Sequence, residues 1–208
     1  SMTLCRTNAA AYDEMTNSQL STRSLIAVFR SAFFSVFVFL PLLLVASTET
    51  ARGQTERVLH SFCSMSDCAD GAYPISDLIQ DANGNLYGTT TSGGGGVCPS
   101  YGCGTVFEIT RSGVETILYK FSGTPDGNGP SGGLVRDSNG NLYGTTQAGG
   151  NNGGACPSEG CGTVFELIKD GATYTEKVLF AFAGGTDGAD PNGLVRDADG
   201  NLYGTTPG

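Results

Sequence analysis

The sequence predicts an all-β chain: a β-propeller-like tandem repeat of four-stranded antiparallel blades, a partial propeller of about 2.7 repeats, behind an N-terminal hydrophobic signal segment. Three observations predict it. The hexapeptide Asn85–Thr90 (NLYGTT) recurs without change at Asn141–Thr146 and Asn201–Thr206. Short apolar runs alternate with Asn-Gly, Asp-Gly and Ser-Gly pairs, the signature of tight hairpins, whose turns need residues that tolerate positive φ. Six cysteines fall into three C-x4-C pairs that hold repeated places in the chain.

The first 53 residues differ in kind from the rest. Only Gly53 among them is a glycine, so the other 31 of the 32 glycines fall between Gln54 and Gly208. Ser31–Ala46 (SAFFSVFVFLPLLLVA) is an apolar run of 16 residues with Arg23 and Arg30 before it. This is the n-region and h-region order of an export signal. The run is shorter than the roughly 20 residues a spanning helix needs, and Pro41 interrupts it. We expect a leader over 1–53 starting in effect at Met15, with cleavage after Gly53 or, as the second candidate, after Ser47. A repeat region over 54–208 follows, in units of about 74–121, 133–182 and a truncated 193–208.

Each unit reads as four strands. LVRD and NLYGTT flank Ser138-Asn139-Gly140, matched by Ala82-Asn83-Gly84 and Ala198-Asp199-Gly200. A three-residue loop closed by a left-handed Gly fits each connector. A Gly-rich loop carrying a Cys pair comes next, expected to be flexible. TVFEIT and ETILYKF then turn at Arg111-Ser112-Gly113, and TVFELIKD and TEKVLFAF turn at Gly171. Strict alternation places Val58, His60 and Phe62 on one face, with Ile117, Tyr119, Phe121 and Val178, Phe180, Phe182 as their copies, and predicts that this face meets a core. A sheet of this kind cannot cover both its faces and must stack on neighbours. A β-sandwich and a parallel solenoid are the alternatives. With fewer than the four blades a propeller needs, the chain reads as a fragment, an open arc with an exposed sheet edge.

The cysteine pairs Cys63/Cys68, Cys98/Cys103 and Cys156/Cys161 read as disulfides in an exported chain. Each closes a short loop, a local effect of about 2 kcal/mol. Zinc is the competing reading of the spacing, but the pairs stand apart at repeated positions rather than converging on one site. With 11 basic against 20 acidic residues the net charge is −9, which argues against nucleic acid as a partner, because phosphates require a cationic face.

The segments DxxGNLYGTT, GCGTVFE, YTEKVLFAF and GLVRD resemble the Gloeo/Verruco (GloVer) tandem repeat over roughly Arg57–Thr206. The resemblance implies an exported or surface-displayed bacterial repeat protein, propeller-like, with C-terminal anchors that vary between members. It brings no catalytic residue.

Several constellations invite chemistry. Asp81, Asp137, Asp197 and Asp199 sit in DxxGN segments that resemble part of a Ca²⁺ loop. No bidentate Glu follows at the required distance, so turn hydrogen bonding is the expected role and Ca²⁺ the alternative. No other cofactor is expected. Glu108 and Glu166 hold one repeat position and are expected to be structural rather than a glycosidase pair. His60, the only His, has Tyr119 and Phe180 as counterparts and is expected to pack as a ring. Tyr101 and Glu159, inside the Cys loops, vary between copies and are candidates for ligand contact.

The expected function is a secreted or cell-surface binding or display role without intrinsic catalysis. The ligand is an extracellular one that the sequence leaves open, a glycan being one class it allows; further blades of the full-length chain are the other partners. Membrane contact is expected only through the leader or a C-terminal anchor. The alternative is a secreted propeller enzyme acting on polysaccharide through blades outside this sequence.

Overall fold

The computed structural model describes residues 3–5, 56–95, 98, 102–150, 155–156 and 159–207. Of the expected leader over 1–53 only residues 3–5 are described; Met15, the apolar run 31–46 and both cleavage sites lie outside the described residues. β1 (Thr3–Cys5) pairs with β2 (Val58–Ser61). β3 (Ile79–Gln80), β4 (Leu86–Thr90), β5 (Thr105–Ile109) and β6 (Glu115–Lys120) form a four-stranded antiparallel sheet in chain order. β7 (Asn128–Pro130), β8 (Val135–Arg136), β9 (Leu142–Ala148), β10 (Thr163–Asp170) and β11 (Thr173–Ala181) repeat the pattern, with β7 and β8 sharing β9 as partner. β12 (Asn192–Arg196) and β13 (Leu202–Thr205) begin it again. The fold is all-β: antiparallel sheets of propeller-blade type in tandem, with no α-helix among the described residues.

Local chemistry explains the hairpins. In the β3–β4 turn, Gly84 takes φ 84° and its N–H reaches the Asp81 carbonyl at 3.0 Å. Gly140 and Gly200 repeat this at φ 91° and 92°, so each connector is a three-residue loop with a left-handed Gly. The next hairpin closes the same way, with Gly113 at φ 90°.

The register then sets what each face carries. Gly88 lies opposite Phe107 and Gly144 opposite Phe165. A Cβ at Gly88 would stand 2.7 Å from Phe107 Cζ, and one at Gly144 2.6 Å from Phe165 Cζ. The glycine of NLYGTT is therefore the slot into which the aromatic of GTVFE folds. Thr90 and Thr105 share a buried Oγ1–Oγ1 hydrogen bond of 2.8 Å, and Thr146 and Thr163 do the same.

The expected alternation of the fourth strand is broken, and a β-bulge is the reason. Val106 pairs with Tyr119 but Phe107 pairs with Ile117, which leaves Leu118 as the extra residue. Val164/Phe165 against Phe180/Val178 repeats the shift. A bulge displaces successive side chains relative to the pleat, so Ile117 does not share a face with Tyr119 and Phe121. Ile117 joins Phe107, Ile109, Phe62, Leu59, Leu78 and Leu86 in one core cluster. Tyr119 and Phe121 join Val106, Tyr87, Leu134, Leu142, Phe165 and Leu167 in another. The second cluster is a seam between two repeats, and the first stands between β2 and the sheet that follows it. In both, the aromatic ending the fourth strand meets the next sheet's third-strand aromatic, with ring centroids 4.7 Å apart for Phe62–Phe107 and 5.1 Å for Phe121–Phe165. Phe121 is 1% exposed while its counterpart Phe182 is only partly buried, and Tyr119 is partly buried while its counterpart Phe180 on β11 is 48% exposed. Burial of this face depends on a following sheet, not on the strand's own pattern.

Where they are described, the ends of the Gly-rich loops are hydrogen-bonded to each other. Gly93 bridges to Cys103 in parallel fashion, and Gly104 N–H donates to the Gly93 carbonyl at 3.2 Å. Gly149 is held by the Glu159 carbonyl at 2.6 Å. The three disulfides Cys63–Cys68, Cys98–Cys103 and Cys156–Cys161 are formed.

The glycine slot yields a test. Gly144→Ala should force the Phe165 ring off its rotamer and lower stability by about 1–3 kcal/mol, read as a shift of the urea midpoint. An unchanged midpoint would show that the ring has room to move.

Candidate functional site

The DxxGN aspartates act first on their own turns. Asp137 Oδ1 accepts the N–H groups of Asn139 and Asn141, both at 2.9 Å. Its Oδ2 accepts Asn141 Nδ2 at 3.0 Å and the Tyr143 hydroxyl at 3.2 Å. Asp81 repeats all four contacts with Asn83, Asn85 and Tyr87. Asp197 makes its bonds to Asn201 and Tyr203. Burial alone would raise the Asp81 and Asp137 carboxyls; the hydrogen bonds from the turn and the Tyr outweigh it and hold both below the usual range. Asp197 is held low by the Asn201 side chain first. The N, Y and D of the repeat motif thus form one network that ties the hairpin to the sheet. Asp199 is exposed in its turn.

Glu108 and Glu166 lie opposite Tyr87 and Tyr143 in register, and Glu166 Oε1 accepts the Tyr143 hydroxyl at 3.0 Å. They occupy successive sheets at equivalent places. Glu159 is exposed, while Tyr101 lies outside the described residues.

A second set of acids was not singled out in the sequence. Asp70, Asp126 and Asp187 share the motif D-G-x-x-P, each four residues before Pro74, Pro130 and Pro191. Glu56, Glu115 and Glu176 share E-x-x-L, each four residues before the ring position His60, Tyr119 or Phe180. That recurrence is the signal that could have found them. The structure brings Asp70 to Glu115 and Asp126 to Glu176 between successive fourth strands, while Glu56 and Asp187 are exposed. Asp126 is buried and accepts the Tyr119 hydroxyl at 2.8 Å, Ser122 Oγ at 3.1 Å and the N–H groups of Ser122 and Gly127. Glu176 of the next sheet faces it. Asp70, buried as well, accepts Ser64 Oγ at 2.7 Å and the N–H groups of Ser64 and Met65. Glu115 faces Asp70 with its side chain only 9% exposed.

His60 replaces the Tyr at this first position. It packs edge-on against Phe62 at 4.7 Å, as Tyr119 does on Phe121 at 5.1 Å. Its Nε2 lies 3.7 Å from Asp70 Oδ2 and 3.6 Å from Glu115 Oε2, beyond hydrogen-bonding distance. The ring role expected of His60 holds, and a polar environment adds to it.

Burial and the neighbouring Asp70 push the Glu115 carboxyl up to about 7, against a smaller opposing pull from Lys120. Burial and Asp126 push Glu176 to about 7 as well. Two carboxylates ionise together only at a cost when they share a buried site, so the Glu of each seam holds its proton until the pH reaches about 7.

A third feature recurs at the ends of the inner strands. Arg136 of β8 lies over the Tyr87 ring at 5.7 Å, and Arg196 of β12 over the Tyr143 ring at 5.8 Å. Both guanidiniums line a groove of about 460 Å³ together with Ile79, Gln80, Leu134 and Val135. Gln80 holds the corresponding place in the first sheet.

Tandem antiparallel sheets, sealed to each other by repeated aromatic, carboxyl and Arg–Tyr contacts, define an all-β repeat protein of propeller-blade type. The chain belongs to the Gloeobacter/Verrucomicrobia repeat family, whose profile matches residues 46–208. No curated protein matches it. Among solved structures it is similar to one described as a "putative gluconolactonase", at 16% identity and a TM-score of 0.45, covering 74% of this chain. The chain spans about half (47%) of the length of that protein.

The seam carboxyls fix a pH dependence. Folded-state values near 7 against 4.5 when unfolded mean that folding takes up protons in between. The contribution of each Glu is complete below about 4.5 and is lost as the pH rises through about 7. Urea unfolding of the full chain should therefore show lower stability at pH 8 than at pH 5, by on the order of 1–3 kcal/mol per seam. Glu115→Gln with Glu176→Gln should remove that decline; a decline that persists in the double variant would assign it elsewhere.

Proposed function

We propose that this chain is an exported or cell-surface repeat protein that binds or displays, with no catalysis of its own. The observation that carries the reading is symmetry. Apart from His60, the acids, hydroxyls and rings that could do chemistry recur at equivalent places in the hairpins and seams. Catalysis needs an asymmetric set of groups around one reacting bond. Three disulfides support an oxidising compartment. Among the described residues no helix is long and apolar enough to cross a membrane.

The reading as a polysaccharide-cleaving enzyme draws on the Asp70–Glu115 and Asp126–Glu176 pairs, since a raised carboxyl beside an ionised one resembles an acid and its partner. Their burial between sheets speaks against it, because a glycosidic bond has to reach both groups. A glycan is the leading ligand class.

A glycan array combined with turnover assays on the full-length protein tests the proposal. Retention of one or more glycans with no product is the expected result; turnover of any sugar polymer would overturn it. No cofactor enters the reading. EDTA should leave the melting temperature unchanged, and a fall would return Ca²⁺ to Asp81, Asp137, Asp197 and Asp199.

A further inference from the structure

The groove across the ends of β3, β8 and β12 carries two guanidiniums one repeat apart. Each is fixed in the same way. Arg136 lies over Tyr87 of the preceding sheet and Arg196 over Tyr143. Each also rests on the glycine of its own turn: a Cβ at Gly140 would come within 3.0 Å of Arg136 Nη2, and one at Gly200 within 2.9 Å of Arg196 Nη2. Stacking on an aromatic face suits the planar, weakly hydrated guanidinium and holds its fork in place.

Neither guanidinium forms a salt bridge or donates a hydrogen bond among the described residues. Asp81 also lines the groove, and its carboxyl feels the field of Arg136. Asp81's oxygens, however, are taken up by Asn83, Asn85 and Tyr87. The result is a pair of pre-positioned forks whose donors face an open groove. Side chains held in position before binding lose less entropy on binding. The groove also contains Ile79, Leu134 and Val135, apolar surface of the kind that the C–H faces of a sugar ring cover.

The ligand follows from this chemistry. A planar carboxylate matches a guanidinium fork in bidentate fashion. Two forks at the repeat interval suit a polymer that carries single carboxylates at intervals. The net charge of −9 repels every polyanion, a dense polyphosphate more than a polymer with one carboxylate per sugar, so affinity has to come from the two forks. We infer that Arg136 and Arg196 form a binding site for a carboxylate-bearing polysaccharide in the groove at the ends of β3, β8 and β12. The inference rests on the binding reading above and gives it a ligand class and two residues.

Titration calorimetry on the full chain tests it with three probes of matched length: polygalacturonate, its fully methyl-esterified form, and poly-L-glutamate. Polygalacturonate should bind, weaken with added salt, and lose at least tenfold in affinity on esterification. Arg136→Gln with Arg196→Gln should cost at least tenfold with the melting temperature unchanged, and Arg136→Lys with Arg196→Lys should fall between, since Lys keeps charge without the fork. The inference is overturned by no binding of polygalacturonate, by equal affinity for the esterified polymer, by full affinity in the double Gln variant, or by tighter binding of poly-L-glutamate. Should the double Gln variant fail to fold, the comparison of free and esterified polymer on the native chain still decides. A neutral glycan that the double Gln variant retains would sink this site and leave the binding reading standing; turnover of a polymer would sink the reading itself.

Discussion

A four-stranded sheet has two faces and no means of covering either alone. Every recurrent feature of this chain answers that constraint. The glycine of NLYGTT opens a slot, the phenylalanine of GTVFE lies in it, and the aromatic that ends the fourth strand of the sheet before closes over the ring. Phe62–Phe107 and Phe121–Phe165 are two copies of one contact. Where a four-stranded sheet follows, the aromatic is buried; Phe182, at the same position before the two-stranded β12–β13 sheet, is only partly buried. Stability here is a property of neighbouring repeats, as expected where each unit touches only the next.

Polar groups follow the same rule. Asp137 and its counterparts secure the hairpin from within. Asp126 and Glu176 meet across a seam, as Asp70 and Glu115 do, and burial together with the neighbouring Asp raises the carboxyl of each Glu to about 7. Hydrophobic contact and carboxyl pairing thus coincide at the join between repeats, and the join carries the pH sensitivity. The strand ends, where Arg136 and Arg196 lie over rings of the preceding sheet, are what the seams do not use.

Much of this was legible in order along the chain. The hairpin glycines, the strand boundaries and the cysteine pairs each follow from local chemistry, since a left-handed turn and a six-residue disulfide loop need nothing from distant residues. The faces of the fourth strand were not legible, because Leu118 is extra in the ladder and a bulge reverses what alternation assigns to Ile117. The seam acids were written in the sequence as recurrent D-G-x-x-P and E-x-x-L, but the two motifs lie 45 residues apart for Asp70 and Glu115, and only stacking puts them face to face.

The amino-acid sequence alone determined that this is a tandem β repeat with hairpins at Asn-Gly and Asp-Gly and with closed cysteine loops, because those features are satisfied within a few residues. Tertiary structure decided which side chains meet: which aromatic fills a glycine slot, which carboxyl keeps its proton, and which arginines stay unpaired over a tyrosine. Such pairings depend on distances between repeats, which register and stacking set and no single strand contains.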